Sequence, residues 1–128
     1  QMVDCIKIPN ILYLIDHYTD QLIEHDIILI DESQFFTDLS LVNNIVETFK
    51  KNVFVFGLDG DFKRNKFGNI LDLVPYCDSI TKLKATCKLC SNEAIYSHRI
   101  VNNESQILIG SEDSYIPLCR KCYNNDKK

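Results

Sequence analysis

The sequence predicts an α/β domain built on a parallel sheet, followed by a small zinc-stapled β appendage. Two short apolar runs, residues 27–30 and 53–56, are typical of strands buried on both faces of a parallel sheet. Two CxxC pairs, at residues 87–90 and 119–122, hold four of the six cysteines. Paired thiolates on two tight turns favour a closed tetrahedral zinc site.

A helix is predicted before the first strand. Pro9 suits the first turn of a helix, and apolar side chains then recur at helical spacing, at Ile11, Ile15, Tyr18 and Leu22. Between the two strands, Asp38 is expected to cap a second helix. The apolar stripe of that helix consists of Val42, Ile45, Val46 and Phe49.

Strand, helix and strand together form a βαβ unit. A right-handed crossover brings the carboxyl ends of its parallel strands to one edge of the sheet, where open α/β sheets bind ligands. We expect Asp31, Glu32 and the glycine-containing turns of residues 57–68 at this edge. The glycines also have a simpler interpretation, as turn chemistry beside core aromatics.

Residues 70–74 predict a short helix that stops at Pro75, and a strand is expected to run through Ile80 and Leu83 to the first CxxC pair. In the appendage, residues 94–101 and 106–109 are predicted to form a hairpin, and residues 110–117 a returning loop. We place the domain boundary after residue 84, so that residues 1–84 form the α/β part and residues 85–128 the zinc part.

Composition excludes several classes of protein. The net charge of −4 argues against a nucleic-acid partner, and no apolar run approaches the roughly 18 residues of a membrane span. The N-terminal residues show no export signal, so a reducing, cytoplasmic compartment is expected. Cys5 and Cys77 stand outside the CxxC pairs and are interpreted as small buried hydrophobic residues.

Two features leave alternatives open. A CxxC pair also occurs as a redox dithiol or as half of a disulfide framework. The 28 residues between the pairs exceed a usual zinc-ribbon insert, so zinc is expected to hold together the two ends of a long loop.

Asp31-Glu32 after a buried strand has the form of a Walker B element, in which an aspartate holds Mg²⁺ and the next acid serves as base. Two acids solvated at a strand end fit the same pattern.

Five segments together resemble the zinc-containing, cytosolic-type thymidine kinases. They are DESQFF (residues 31–36), GLDGDFKRNKFGNILDLVP (57–75), TKLKATCKLC (81–90), EAIYSHR (93–99), and Tyr115 four residues before CRKC. No single segment is decisive. Their common order and spacing, from about residue 27 to residue 123, makes the set specific.

The resemblance implies a fold and a reaction. The fold is a RecA-like P-loop kinase sheet with a zinc-bearing "lasso" domain. The reaction is phosphoryl transfer from Mg²⁺-bound ATP to the 5′-hydroxyl of thymidine or deoxyuridine, which salvages deoxynucleosides for DNA synthesis. The resemblance also implies a homotetramer with dTTP as feedback inhibitor, and structural Zn²⁺ with catalytic Mg²⁺ as cofactors.

Residue roles follow from the same motifs. Glu32 matches the general base and Asp31 the Mg²⁺-associated carboxylate, with Ser33 and Gln34 on the nucleotide side. The resemblance implies nucleoside contacts from Phe35, Leu58, Phe62, Ser97, Tyr115 and the lasso stretch Gln106, Ile107, Leu108, Ile109 and Gly110. It implies zinc ligation by Cys87, Cys90, Cys119 and Cys122. Arg64 is interpreted either as a neutraliser of phosphate charge or as a solvated surface arginine.

Two departures from the family pattern stand out. Ser97 occupies the place of a threonine near the thymine 5-methyl group, so discrimination at that position is expected to weaken by about 1 kcal/mol at most. More importantly, no segment resembles GxxxxGKS or GxxxxGKT, the loop that cradles the β- and γ-phosphates. We therefore interpret the chain as a kinase fragment without its P-loop strand. The alternatives are a non-catalytic zinc-ribbon binding module and an inactive relative that binds thymidine nucleotides.

Residues 1–128 alone are expected to show no appreciable thymidine phosphorylation. Phosphoryl transfer depends on positioning and on charge stabilisation, which a P-loop's backbone N–H groups and lysine supply. Apolar surface beside the first strand is expected to be exposed and to favour aggregation. A steady-state assay with ATP, Mg²⁺ and thymidine checks the prediction, and robust turnover by these residues contradicts it.

Overall fold

A computed structural model describes residues 5–102, 104–107 and 114–126 of the chain. These residues form two compact units. The first contains the described residues up to Asp59 together with Gly68–Asp78, and the second contains Gly60–Phe67 and the described residues from Ser79 onward. Compactness does not by itself define an independently folding domain, so the predicted boundary after residue 84 stays a prediction.

The first unit is a parallel strand pair with short helices. Its elements are α1 (Ile11–His17), α2 (Thr19–Glu24), β1 (Ile27–Ile30), α3 (Val42–Glu47) and β2 (Asn52–Val55), with single 3₁₀ segments at Ser33–Phe35, Leu39–Leu41 and Ile70–Tyr76. The two strands pair in parallel, with Ile27 opposite Asn52 and Ile30 opposite Val55. The predicted parallel βαβ unit is confirmed at this level.

The core of the first unit lies on one side of the strand pair. Its buried members are Ile11, Leu14, Leu22, Ile30, Leu39, Val42 and Ile45. The opposite side is open among the described residues, since Ile27, Leu29 and Phe54 are 56%, 57% and 50% exposed. The expectation that both faces of the strands are buried is therefore wrong for this chain, whereas the expected exposure of apolar surface is confirmed.

Two helix predictions need correction. The single helix predicted before β1 is observed as two helices, α1 and α2. They are separated at Tyr18, whose φ of −124° is not helical. Asp38 does not cap the helix that follows it. Its two carboxylate oxygens instead accept hydrogen bonds from the backbone N–H groups of Ile11 and Leu12, at 2.9 Å each. Asn10 accepts a third, from Tyr13 N–H, so three free donors at the start of α1 are satisfied.

Among its described residues, the second unit contains two antiparallel strand pairs and one helix. β3 (Ala85–Thr86) pairs with β4 (Glu93–Ala94), and β5 (Tyr96–Arg99) pairs with β6 (Tyr115–Leu118). The helix α4 follows at Arg120–Asp126. The buried core of the second unit consists of Cys87, Ala94, Leu118, Cys119 and Tyr123.

Sequence patterns misplaced several strands of this unit. The partner of β5 is Tyr115–Leu118, part of the segment predicted as a returning loop. Gln106 and Ile107 lie in no strand, and residues 108 and 109 of the predicted strand lie outside the described residues. Ile80 and Leu83 are 65% and 80% exposed and lie outside any strand. Cys5 and Cys77 are exposed, so their interpretation as buried residues is also wrong. None of the helices described is long and apolar enough to cross a membrane.

Replacing Asp38 with alanine is expected to destabilise the first unit by about 1–2 kcal/mol, because two backbone donors of α1 lose their charged acceptor. Urea unfolding and hydrogen exchange of the α1 amides measure the effect. Asp16→Ala is the matched control, since Asp16 is an exposed residue of the same helix. Equal loss of stability in both variants contradicts the capping role.

Candidate functional site

The predicted acids lie directly after β1. Asp31 and Glu32 are both exposed, and Asp31 Oδ1 accepts a hydrogen bond from the Glu32 backbone N–H at 2.9 Å. Glu32 adopts the left-handed conformation, with φ 52° and ψ 39°. That conformation costs a non-glycine residue on the order of 1 kcal/mol or more and is found most often at functional sites. The strand end therefore presents two carboxylates on a sharply turned backbone.

Ser33 and Gln34 attach this turn to the end of β2. Ser33 donates to the Phe56 carbonyl twice, from its backbone N–H at 2.9 Å and from its hydroxyl at 2.7 Å. The Gln34 amide accepts from Leu58 N–H at 3.1 Å and donates to Glu32 Oε2 at 2.6 Å. Both side chains are buried. Their predicted contacts with the nucleotide stay predictions.

Two glycines make this close packing possible. A Cβ atom on Gly57 would lie 2.5 Å from Ser33 Oγ, and one on Gly68 would lie 2.2 Å from the Gln34 carbonyl oxygen. Gly68 also has a φ of +61°, which disfavours other residues. These glycines therefore do more than form turns, because they let the backbone close around Gln34.

Two residues of the first unit that are predicted to contact the nucleoside, Phe35 and Leu58, are half-exposed, at 48% and 46%. Leu58 is fixed through its backbone N–H to Gln34. Exposed aromatic and aliphatic side chains beside a carboxylate suit contact with an apolar part of a ligand. Their assignment to a nucleoside pocket stays a prediction.

In the second unit, the buried Arg99 brings three predicted substrate residues together. Its guanidinium carbon lies 3.8 Å from the Phe62 ring centroid, and its Nη2 donates to the Tyr115 hydroxyl at 2.7 Å. The same guanidinium donates to the backbone carbonyls of Ser105 and Gln106. Sequence reasoning missed Arg99. Its place in the EAIYSHR motif was a signal, but a motif does not show burial.

A second contact fixes Gln106. Its amide donates to Asp61 Oδ2 at 2.9 Å, and Asp61 Oδ1 accepts from the backbone N–H groups of Lys63 and Asn65. Asp61 is itself buried. The turn that carries Phe62 and the segment that carries Gln106 are thus held to each other within the second unit.

The remaining predicted nucleoside residues are dispersed or fall outside the description. Ser97 is half-buried in β5, opposite Pro117, and Ile107 is 54% exposed. Leu108, Ile109 and Gly110 lie outside the described residues. Their predicted roles stay predictions.

Arg64 is an exposed residue, as a surface arginine would be, and its guanidinium lies over two aromatic rings. Its guanidinium carbon lies 4.7 Å from the Tyr123 ring centroid and 5.2 Å from that of Tyr96, and Nη1 donates to Asn124 Oδ1 at 3.1 Å. Cation–π contacts of this kind contribute about 0.5–2 kcal/mol. Arg64 therefore stabilises the second unit, and its predicted contact with phosphate stays a prediction.

The four CxxC cysteines converge on one point. The sulfur atoms of Cys87, Cys90, Cys119 and Cys122 all lie within 4.8 Å of one another, and those of Cys90 and Cys119 are 3.6 Å apart. The β3–β4 hairpin carries the first pair, and the start of α4 carries the second. A hydrogen bond from Lys88 N–H to the Pro117 carbonyl, at 2.9 Å, joins the two segments.

The thiols titrate unequally. Hydrogen bonding with the Cys119 backbone lowers the pKa of Cys87 to about 6, and hydrogen bonding with the Cys122 backbone lowers the pKa of Cys119. The side-chain contact with Cys119 raises the pKa of Cys122 to about 12. Clustered thiolates repel one another, so the four negative charges need a cation to coexist. Backbone N–H groups favour the thiolate form that binds metal.

The cluster fits a tetrahedral metal. A regular tetrahedron with metal–sulfur bonds of about 2.3 Å has sulfur atoms about 3.8 Å apart. The sulfur atoms of Cys90 and Cys119 are 3.6 Å apart, and all four lie within 4.8 Å of one another. Four soft sulfur donors in this arrangement are the ligand set of structural zinc or of iron–sulfur centres. The predicted metal-ligating set is confirmed as a group that is able to hold a metal ion.

The chain was compared with known proteins. The family model described as thymidine kinase matches residues 5–123. Thymidine kinase 1 of Dictyostelium discoideum is 41% identical over 114 residues, which cover 89% of this chain and 50% of that protein. Thymidine kinase of Oryza sativa subsp. japonica is 48% identical over 99 residues, which cover 77% and 36% respectively.

A third relative gives the same result. Thymidine kinase a of Arabidopsis thaliana is 39% identical over 121 residues, which cover 93% of this chain and 51% of that protein. The chain thus spans about half the length of these relatives or less. Since the family model covers nearly the whole sequence, the resemblance seen in its motifs is confirmed, and the chain belongs to the thymidine kinase family.

Proposed function

We propose that this chain supplies the general base and the nucleoside-binding residues of a thymidine kinase, which transfers a phosphoryl group from ATP to the 5′-hydroxyl of thymidine or deoxyuridine. The observation that carries the proposal is the Asp31-Glu32 pair at the carboxyl end of a parallel strand, with the Glu32 carboxylate held in place by Gln34. Relatives of the family carry the name thymidine kinase, which supports the choice of substrate.

Glu32 is the base in this proposal. Its carboxylate takes the proton of the 5′-hydroxyl as that oxygen attacks the γ-phosphorus in line and ADP leaves. An exposed carboxylate at a sheet edge is accessible to a substrate hydroxyl, and the fixed turn reduces the entropy lost in aligning the two groups.

Asp31 is proposed to hold Mg²⁺. Its Oδ1 is engaged by the Glu32 backbone N–H, and a carboxylate of this kind binds Mg²⁺ together with water and phosphate oxygens. When bound, Mg²⁺ offsets the negative charge of the transferring phosphates. Ser33 and Gln34 are proposed to stay on the nucleotide side of the turn, as the family motif implies.

The second unit is proposed to bind the base. The Phe62 ring, the Tyr115 hydroxyl and the Gln106 backbone are held by one arginine, so their positions are set before a ligand arrives. Preorganised groups lose less entropy on binding than flexible ones. Phe35, Leu58, Ser97 and the backbone from Ile107 to Gly110 complete the proposed nucleoside contacts.

The finer fold and assembly are also proposals. The parallel β1–β2 pair supports a RecA-like sheet, and the cluster that brings residues 87–90 together with residues 119–122 supports a lasso domain. Inhibition by dTTP, a homotetrameric assembly and a cytoplasmic role in deoxynucleoside salvage are carried by the family resemblance.

Replacing Glu32 with glutamine in the full-length protein is expected to lower kcat by roughly 10²–10⁴, because the side chain keeps its size but loses the proton acceptor. Thymidine binding is expected to be retained. Steady-state kinetics and thymidine titration measure the two effects. Glu24→Gln, an exposed residue of α2, is the matched control. An unchanged kcat rejects Glu32 as the base, and loss of binding alone reassigns it to substrate positioning.

We also propose that the metal is one structural Zn²⁺ per chain, held by Cys87, Cys90, Cys119 and Cys122. Four thiolates complete a closed site with no position for water, so the metal stabilises the fold and takes no part in phosphoryl transfer. The reaction proposed here needs no redox change, which favours zinc over an iron–sulfur centre.

Metal analysis of purified protein is expected to give one zinc per chain, and Cys119→Ser is expected to bring this close to zero because a closed site needs all four ligands. Cys77→Ser is the matched control, since Cys77 is exposed and outside the cluster. Chelation is expected to raise hydrogen exchange in β5 and β6 before β1 and β2. Unchanged zinc content in Cys119→Ser refutes the assignment.

A further inference from the structure

We infer that Gln34 is a positioning residue for the base, fixing one oxygen of the Glu32 carboxylate and leaving Oε1 to receive the substrate proton. The inference rests on the proposed function, in which Glu32 is that base. It gives Gln34 a task that is carried out through Glu32, separate from any contact with the nucleotide.

The orientation of the Gln34 amide is fixed by its partner on the other side. Leu58 N–H is a donor and nothing else, so the amide oxygen must face it, as it does at 3.1 Å. A flipped amide would set two donors against each other. The amide nitrogen therefore faces Glu32, and its 2.6 Å contact with Oε2 is a hydrogen bond to a charged acceptor.

The amide is also confined by the backbone around it. Gln34 is 5% exposed. A Cβ on Gly57 would lie 2.8 Å from Gln34 Oε1, and one on Gly68 would lie 2.2 Å from the Gln34 carbonyl oxygen. Glycine at both places lets the neighbouring segments approach more closely than any other residue would. Gln34 is therefore a rigid donor.

Glu32 needs such a donor because the turn fixes its backbone but leaves its side chain free to rotate. Its side chain is exposed and has three rotatable bonds. A general base must stay within hydrogen-bond reach of the proton it takes, and small misplacements are costly in rate. The bond from Gln34 uses one of the two acceptor sites of Oε2, so Oε1 is the oxygen that we propose receives the proton of the 5′-hydroxyl.

The sharpest test is Gln34→Glu in the full-length protein. The new side chain keeps its size, and one of its oxygens still accepts from Leu58 N–H, but the other meets the Glu32 carboxylate without an N–H to donate. The two acids then repel each other or share one proton, and in both cases Glu32 is a poorer proton acceptor. We expect kcat to fall about 10- to 100-fold while KM for thymidine changes by less than about threefold. Gln21→Glu makes the same charge change at an exposed site in α2 and is expected to match the wild type. An unchanged kcat in Gln34→Glu overturns the inference.

A double-mutant cycle separates positioning from a general structural role. In a Glu32→Gln background, Gln34→Glu is expected to lower kcat little further, because the group on which Gln34 acts is already disabled. The same fold-loss in both backgrounds overturns the inference. An unchanged kcat in Glu32→Gln alone is a different result, since it rejects Glu32 as the base and the proposed function with it.

The contact itself has a readout that needs no turnover. In ¹⁵N–¹H spectra, the Gln34 side-chain proton that faces Glu32 is expected downfield of an ordinary amide proton and to move upfield in Glu32→Ala. Glu24→Ala is the control and is expected to leave it in place. A Gln34 signal that does not respond to Glu32→Ala overturns the inference whatever the kinetics show.

Discussion

The second unit depends on one constraint: the four cysteine sulfur atoms that lie within 4.8 Å of one another cannot all be thiolates without a cation among them. Its strands are two to four residues long, and two of its five buried core residues are themselves cysteines of the cluster. Sheets of this size bury too little apolar surface to be stable alone. The four cysteines are able to hold a metal ion, and a metal bound there would link the β3–β4 hairpin to the start of α4 beside the buried Tyr123.

In the first unit, the buried polar side chains that the structure describes lie in one turn. The side chains of Ser33 and Gln34 are buried and are hydrogen-bonded to the backbone of Phe56 and Leu58, just beyond the end of β2. Burying such groups is tolerated because they have partners, and it fixes the backbone more firmly than apolar packing of the same size. The left-handed Glu32 is thereby held in a conformation that an isolated chain would seldom adopt.

Sequence patterns correctly predicted the structural features that are determined by residues close together in the chain. The β-branched runs predicted both strands of the parallel pair, because each strand depends on residues near one another in the chain. The cluster joins two CxxC pairs with 28 residues between them, and it was predicted because each pair alone has the spacing of half a metal site. The partner of β5 was misplaced, since Tyr115–Leu118 contains a proline and follows loop-like residues. Arg99 was missed because its burial depends on Phe62, Ser105 and Tyr115, which only the folded unit brings together.

Asp38, which accepts hydrogen bonds from the first backbone N–H groups of α1, has a consequence for the order of folding. A seven-residue helix is too short to persist alone, and two of its first amides find their acceptor 26 and 27 residues later in the chain. Helix α1 therefore cannot be completed during synthesis until Asp38 has emerged and the loop after β1 has docked. Its formation reports tertiary assembly of the first unit, and local helix propensity has little part in it.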